Sequence, residues 1–317
     1  MTVRAVVRRL AVREYAPLAA LVLAWLTVAT AAGPADAVRL LAAVTLVRAA
    51  RALTAPASLS PLRMRLRGRT GRRQATRAAL AVEAAALVGA LLALGAIATL
   101  LWSVGQRKML LLCLLFGPAI AARSLMPLAA DRALGEVYRL TLALIGLVLV
   151  AAGWVAGADI YVFALLMAAR DWLALPVASA LAPRIAPRQE TAGKLKWREI
   201  AAHSHTLGRR RAAYQLSKPF LQAFLGPFGG FAARTGRGMQ LDRKFARFVP
   251  DHPAALGGVA VGAAAAGIVL IVLVPEPVLL LVAATLLRSS AAAANVLLWG
   301  GLSDRSEVIE SLEDNDD

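Results

Sequence analysis

The sequence predicts an all-α fold, a polytopic helical membrane bundle, and three observations carry that prediction. Apolar residues make up 59% of the 317 positions. They gather into windows of about 20 residues, enough to cross ~30 Å of hydrocarbon at ~1.5 Å per residue. The connections between windows are by turns crowded with and empty of Lys and Arg. A mean hydropathy of +0.64 is more apolar surface than a water-soluble domain of this length can hide, so the surplus faces lipid.

About eight windows qualify. They run from Tyr15 to Ala32, Ala37 to Ala55, Ala78 to Trp102, Met109 to Ala130, Arg139 to Gly157, Ile160 to Ala182, Pro253 to Val274 and Pro277 to Trp299. The first follows a basic leader, Met1 to Glu14, but is long for the apolar region of a signal peptide and has further spans behind it, so it reads as a retained span. The second is the weakest, interrupted by Arg39, Arg48 and Arg51, and the fifth and sixth are joined only through Ala158 and Asp159.

Orientation follows from the bias that keeps basic connections in the cytoplasm. The leader, the stretch with Arg63, Arg65, Arg67, Arg69, Arg72, Arg73 and Arg77, and the segment after Pro183 are strongly basic, whereas Gly33 to Asp36, Gly157 to Asp159 and Pro275 to Pro277 carry no Lys or Arg. Only Arg107 and Lys108 dissent. An even number of spans with both termini cytoplasmic satisfies every other loop. The expected organisation is a membrane bundle of about six helices over 1–183, a basic cytoplasmic or interfacial loop over 184–252, a membrane hairpin over 253–302 and an acidic disordered tail over 303–317. Within the loop, Arg209 to Leu225 reads as a helix with Tyr214, Leu216, Phe220, Leu221 and Phe224 opposite a basic end, suited to the interface plane. The tail is a solubilising end or a latch onto the basic loops.

A net charge of +17 would ordinarily suggest nucleic acid. Here the charges alternate with long apolar runs, and their natural partners are membrane lipids with anionic head groups, each basic residue near the surface contributing ~1 kcal/mol. The single cysteine, Cys113, excludes an intramolecular disulfide and a cysteine-based zinc site. His203 and His205 are two apart and so on different helix faces, and His252 has no clustered partners, so no metal or other cofactor is expected. No nucleophile elbow, no zinc-protease signature and no aspartate cluster for magnesium occurs, which speaks against an enzyme. The usage, heavy in Ala, Arg, Leu and Gly, points to a bacterium and its inner membrane.

Charged groups at membrane depth cost several kcal/mol and tend to face the bundle interior. Arg48, Glu83, Arg170, Asp171 and Arg288 qualify. Glu83 and Arg123 sit near span ends, where snorkelling explains them. Arg170 and Asp171 are neighbours about 100° apart on a helix, so Asp171 is expected to meet an arginine of another helix, Arg48 or Arg288, rather than Arg170. Arg288 and Asn295 share a face, being seven residues apart. Together Arg48, Arg170, Asp171, Arg288 and Asn295 are the expected substrate-binding residues, lining a cationic cavity; the alternative is interhelical ion pairing. Arg234 and Arg237, among the glycines of Gly226 to Gly238, are expected at a lipid head group, in a flexible turn without the Gly-Lys-Ser/Thr of a P-loop.

The paired spans with basic connections, and the stretch Ala121-Ala-Arg-Ser-Leu-Met-Pro-Leu-Ala-Ala-Asp-Arg-Ala-Leu-Gly-Glu-Val-Tyr-Arg139 leading into another hairpin, resemble the N-terminal half of the polysaccharide and lipid-linked oligosaccharide flippases of the multidrug/oligosaccharidyl-lipid/polysaccharide exporter superfamily. The resemblance covers Ala37 to Pro183 and lies in hydropathy rhythm. It implies a central cationic cavity for an anionic lipid-linked substrate, tested at Arg48, Arg170 and Arg288. Such flippases have more spans in two lobes, so a chain this short implies a homodimer or a divergent form. The leading expectation is a transporter or flippase-like protein for an anionic lipid-linked or polysaccharide precursor. The alternatives are a membrane enzyme acting on a phospholipid or isoprenoid through His203, His205 or Asp251, and a non-catalytic scaffold.

Overall fold

The computed structural model describes residues 16–54, 84–122, 132–185 and 253–298. They form eight α-helices of ten residues or more: α1 Ala16–Ala32, α2 Pro34–Thr54, α3 Ala84–Ser103, α4 Arg107–Phe116, α5 Arg132–Val155, α6 Ile160–Ile185, α7 Pro253–Leu273 and α8 Pro277–Leu298. No strand occurs among the described residues. Four helices are long and apolar enough to cross a membrane, over Ala84–Ser103, Ile160–Val177, Ala255–Leu273 and Pro277–Asn295. Large apolar side chains stand open on them, Leu92 at 72% and Val261 at 70% exposed. Water would not tolerate such faces, and lipid does.

Glycine and proline set the helix ends. Gly33, Gly105 and Gly157 take positive φ of 87°, 74° and 67°, the left-handed region that other residues rarely enter, and each turns the chain between consecutive helices. Pro34 opens α2, where its missing N–H costs nothing, and the Ala37 N–H donates to Gly33 O at 3.0 Å. Asp159 precedes α6, and its Oδ1 accepts the Val162 N–H at 2.8 Å, satisfying one of the free donors of the first turn.

Three expected boundaries shift. Helix α2 starts at Pro34 rather than Ala37, and α5 starts at Arg132 rather than Arg139. The fourth span, expected to run unbroken from Met109, stops at Phe116. Pro118 has no N–H to give to the turn before it, and the Gly117 N–H closes a tighter turn onto Leu114 O at 3.2 Å. The chain winds on through Ile120 and Ala121, bonded three residues back to Gly117 O and Pro118 O at 2.9 and 3.2 Å.

The chain divides into two compact units that interleave along the sequence. Met1–Val47, Leu94–Glu190 and Val274–Leu281 form one; Arg48–Ala93, Thr191–Leu273 and Val282–Asp317 form the other. In the first, α5 and α6 make an antiparallel hairpin, α1 packs chiefly on α5, and α4 packs on α6. Gly153 admits that hairpin: a Cβ there would stand 2.8 Å from Leu166 Cδ1 and 3.0 Å from Phe163 Cε1. In the second, Gly267 of α7 brings α8 close, since a Cβ would meet Ala283 O at 3.0 Å. The buried Ser290 hydroxyl donates to Ala260 O across the same pair.

Candidate functional site

The first unit carries a buried charge pair. Arg170 and Asp171 lie ten and eleven residues into α6, about 15 Å along it and so near mid-depth of a ~30 Å core. Their side chains are 3% and 0% exposed. Arg170 and Asp171, expected not to pair with each other, are in contact: Arg170 Nη2 stands 3.4 Å from Asp171 Oδ1, and both residues have further interactions. A long guanidinium stem folds back across the ~100° between adjacent positions, which a backbone-direction argument overlooks.

Gly146 makes room for that stem. A Cβ at Gly146 would stand 2.6 Å from Arg170 Cδ and 3.4 Å from Nη1, so the arginine lies against bare backbone of α5. Towards the C-terminal end of α6, Tyr138 and Ala174 are buried together with Leu142, Ile145 and Leu175 packed around them. Thr141 is buried nearby on α5. On the next position of α6, the Trp172 indole N–H donates to Pro118 O at 3.1 Å, tying the break after α4 to the helix that holds the charges.

A second group in this unit was missed because its members lie far apart in sequence. Lys108 Nζ reaches both carboxylate oxygens of Asp36, at 2.8 and 2.7 Å, and Arg39 Nη1 reaches Oδ1 at 2.9 Å. Partial burial acts to raise the Asp36 pKa, but hydrogen bonds and charge from Lys108 and Arg39 outweigh it and hold the carboxyl below its ordinary value. Arg107 stands over the Trp102 ring, 5.7 Å from its centre. The two basic residues that dissent from the loop pattern are therefore engaged locally, and the Asp36 contact puts the turns at Gly33 and Gly105 at one level.

In the second unit, Asn295 is 3% exposed and its Nδ2 donates to Leu53 O at 2.7 Å. Leu53 is in the last turn of α2, where carbonyls have no partner within the helix, so Asn295 caps α2 from another helix. Gly89 of α3 meets the same end, a Cβ there standing 3.0 Å from Thr54 Cγ2. Arg48, Arg51 and Arg288 are half-buried.

The expected site residues thus fall into two groups. Arg170 and Asp171 are together in the first unit; Arg48, Arg288 and Asn295 belong to the second. Glu83, Arg123, Arg234, Arg237, His203, His205, Asp251 and His252 lie outside the described residues, as does most of the expected loop and tail. Among the described residues no three His, Cys, Asp or Glu side chains gather as a metal site.

Four long apolar helices among the described residues, with a charge pair buried inside, are compatible with a multi-pass helical membrane protein. No family profile, curated protein or solved structure matches the chain.

Proposed function

We propose that the chain is a bacterial inner-membrane transporter of about eight spans, with both termini cytoplasmic, that moves an anionic lipid-linked or polysaccharide precursor. The supporting observation is the Arg170 and Asp171 pair, sealed from solvent at mid-depth of α6. Burying two charges in hydrocarbon is costly, and a bundle held only by packing gains little from it. At 3.4 Å the contact is longer than the 2.7–2.9 Å of a tight charge-assisted bond, which suits a partner that exchanges. A phosphate entering the bundle competes with Asp171 for the Arg170 guanidinium, and Asp171 takes the arginine back when the substrate leaves.

The test is translocation of a fluorescent polyisoprenyl pyrophosphate lipid in proteoliposomes. Asp171→Asn leaves Arg170 without its competing charge, so half-saturation falls and maximal rate falls with it, each by about threefold or more. Arg170→Lys keeps the charge and loses the planar fork, and weakens substrate binding. If the parent translocates no lipid, the transport reading fails; if both variants fold and translocate as an active parent does, the pair is structural and its role in transport fails.

A further inference from the structure

We propose that α4 is a half-length gate, hinged at Gly117 and Pro118 and fastened at its other end by the bridge from Lys108 to Asp36. Helix α4 covers ten residues, about 15 Å, or half of a ~30 Å hydrocarbon core. Its inner end is the break at Pro118, whose carbonyl accepts the Trp172 indole N–H. Trp172 directly follows Arg170 and Asp171 on α6, so the hinge lies at the depth of the buried pair. Helices that break at mid-depth border the substrate sites of membrane transporters.

Polar contacts hold α4 in place more than apolar packing does. Met109, Leu112, Cys113 and Phe116 of α4 are buried, the helix packs on α6, and its opposite face exposes Leu111 and Leu114. Lipid is as apolar as these side chains, so exchanging one for the other costs little in a bilayer, and directional contacts decide where the helix sits. One such contact is the Trp172 bond at the inner end. The other is the Lys108 bridge at the outer end, which joins α4 to the start of α2 at 2.8 and 2.7 Å. Local terms disfavour that lysine. It sits with Arg107 in the first turn, at the positive end of the helix dipole, after Gln106, whose side chain makes no cap bond, and it departs from the basic-inside pattern. The contact with Asp36 offsets both. The bridge can also release: Lys108 is 39% exposed, and Asp36 keeps Arg39 on its own helix at 2.9 Å when the lysine leaves. With the bridge open, α4 tilts about Gly117 and admits water toward Arg170 and Asp171; that this is the substrate's path rests on the transport reading.

The native thiol reports the movement. Cys113 is buried on the inner face of α4, its Sγ 3.9 Å from Ala43 O of α2. The experiment follows its labelling by a charged methanethiosulfonate, supplied on both faces of proteoliposomes that hold the full-length protein. The parent labels slowly, and Lys108→Gln labels about three- to fivefold faster, because a half-exposed bridge holds back a minor open population of that order. Arg39→Gln labels as the parent does. Exchanging the charges, Asp36→Lys with Lys108→Asp, restores slow labelling, which a misfolded variant would not do. An unchanged rate in Lys108→Gln, equal acceleration by Arg39→Gln, or fast labelling that persists in the exchanged pair overturns the proposal. A parent that translocates no lipid sinks the transport reading and leaves the labelling result standing.

Discussion

At Gly146 the side chain is a hydrogen, and Arg170 occupies the room it leaves. Gly146→Ala pushes a methyl to 2.6 Å from the arginine's Cδ, so the stem must move or α5 and α6 must part. The expected cost is about 1–3 kcal/mol, read as a lower melting temperature in detergent, whereas Gly95→Ala, with nothing within 4 Å, is neutral or slightly stabilising. Asp36 gives the pH dependence. Its folded pKa is depressed, so its contribution is fully present above the unfolded carboxylate value of about 3.9 and is lost as pH falls through the lower folded value. The gap in melting temperature between the parent and Asp36→Asn therefore stays constant from about pH 7 to 5, narrows below about pH 4 and closes at lower pH. A gap that widens on acidification contradicts the pairing with Lys108. At this scale the sequence was readable in part. Arg170 and Asp171 announce themselves because charge within an apolar window must be buried or functional, but their mutual contact depends on how a flexible stem bends. The contact of Lys108 with Asp36 spans 72 residues, and no local pattern encodes it.

Helices were more legible than contacts, because their limits are written in residues with special backbone chemistry. Gly33 with Pro34, Gly105, Gly157 and the Pro275 to Pro277 turn each fall between two apolar windows, and the helices end there. The fourth window misled because apolarity continues through Gly117 and Pro118 while the hydrogen-bond ladder does not. Averaged hydropathy is blind to one missing N–H. That break is joined to α6 by Trp172, whose indole donates to Pro118 O. Trp172→Phe keeps the ring and loses the donor, so it costs about 1 kcal/mol in unfolding experiments and leaves the Pro118 carbonyl unsatisfied by the indole. An unchanged stability shows that the two elements are not tied there.

Across the whole molecule, the amount of exposed apolar surface decides the class of protein before any single site does. Leu92, Val155 and Val261 at 72%, 83% and 70% exposed form apolar faces that suit lipid rather than water. Trp102 and Trp154, 65% and 55% exposed, stand just before the turns at Gly105 and Gly157, the position of aromatic residues at a membrane interface. The all-helical class was visible from composition and periodicity because lipid allows so few ways to satisfy a backbone. The division into two interleaved units was not, because it arises from long-range packing rather than from sequence order. The central claim is that the four short turns, three of them free of Lys and Arg and the fourth at Gly105 with Arg107 and Lys108 engaged locally, lie on one side of a bilayer. It is tested most directly by cysteine accessibility in a Cys113→Ser background, with Ala35→Cys, Gln106→Cys, Ala158→Cys, Glu276→Cys and the mid-helix Ile268→Cys. All four turn cysteines should react with an impermeant maleimide from the same, periplasmic, face, and Ile268→Cys should stay unlabelled. A turn cysteine that reacts only from the opposite face, or ready labelling at position 268, would contradict the account.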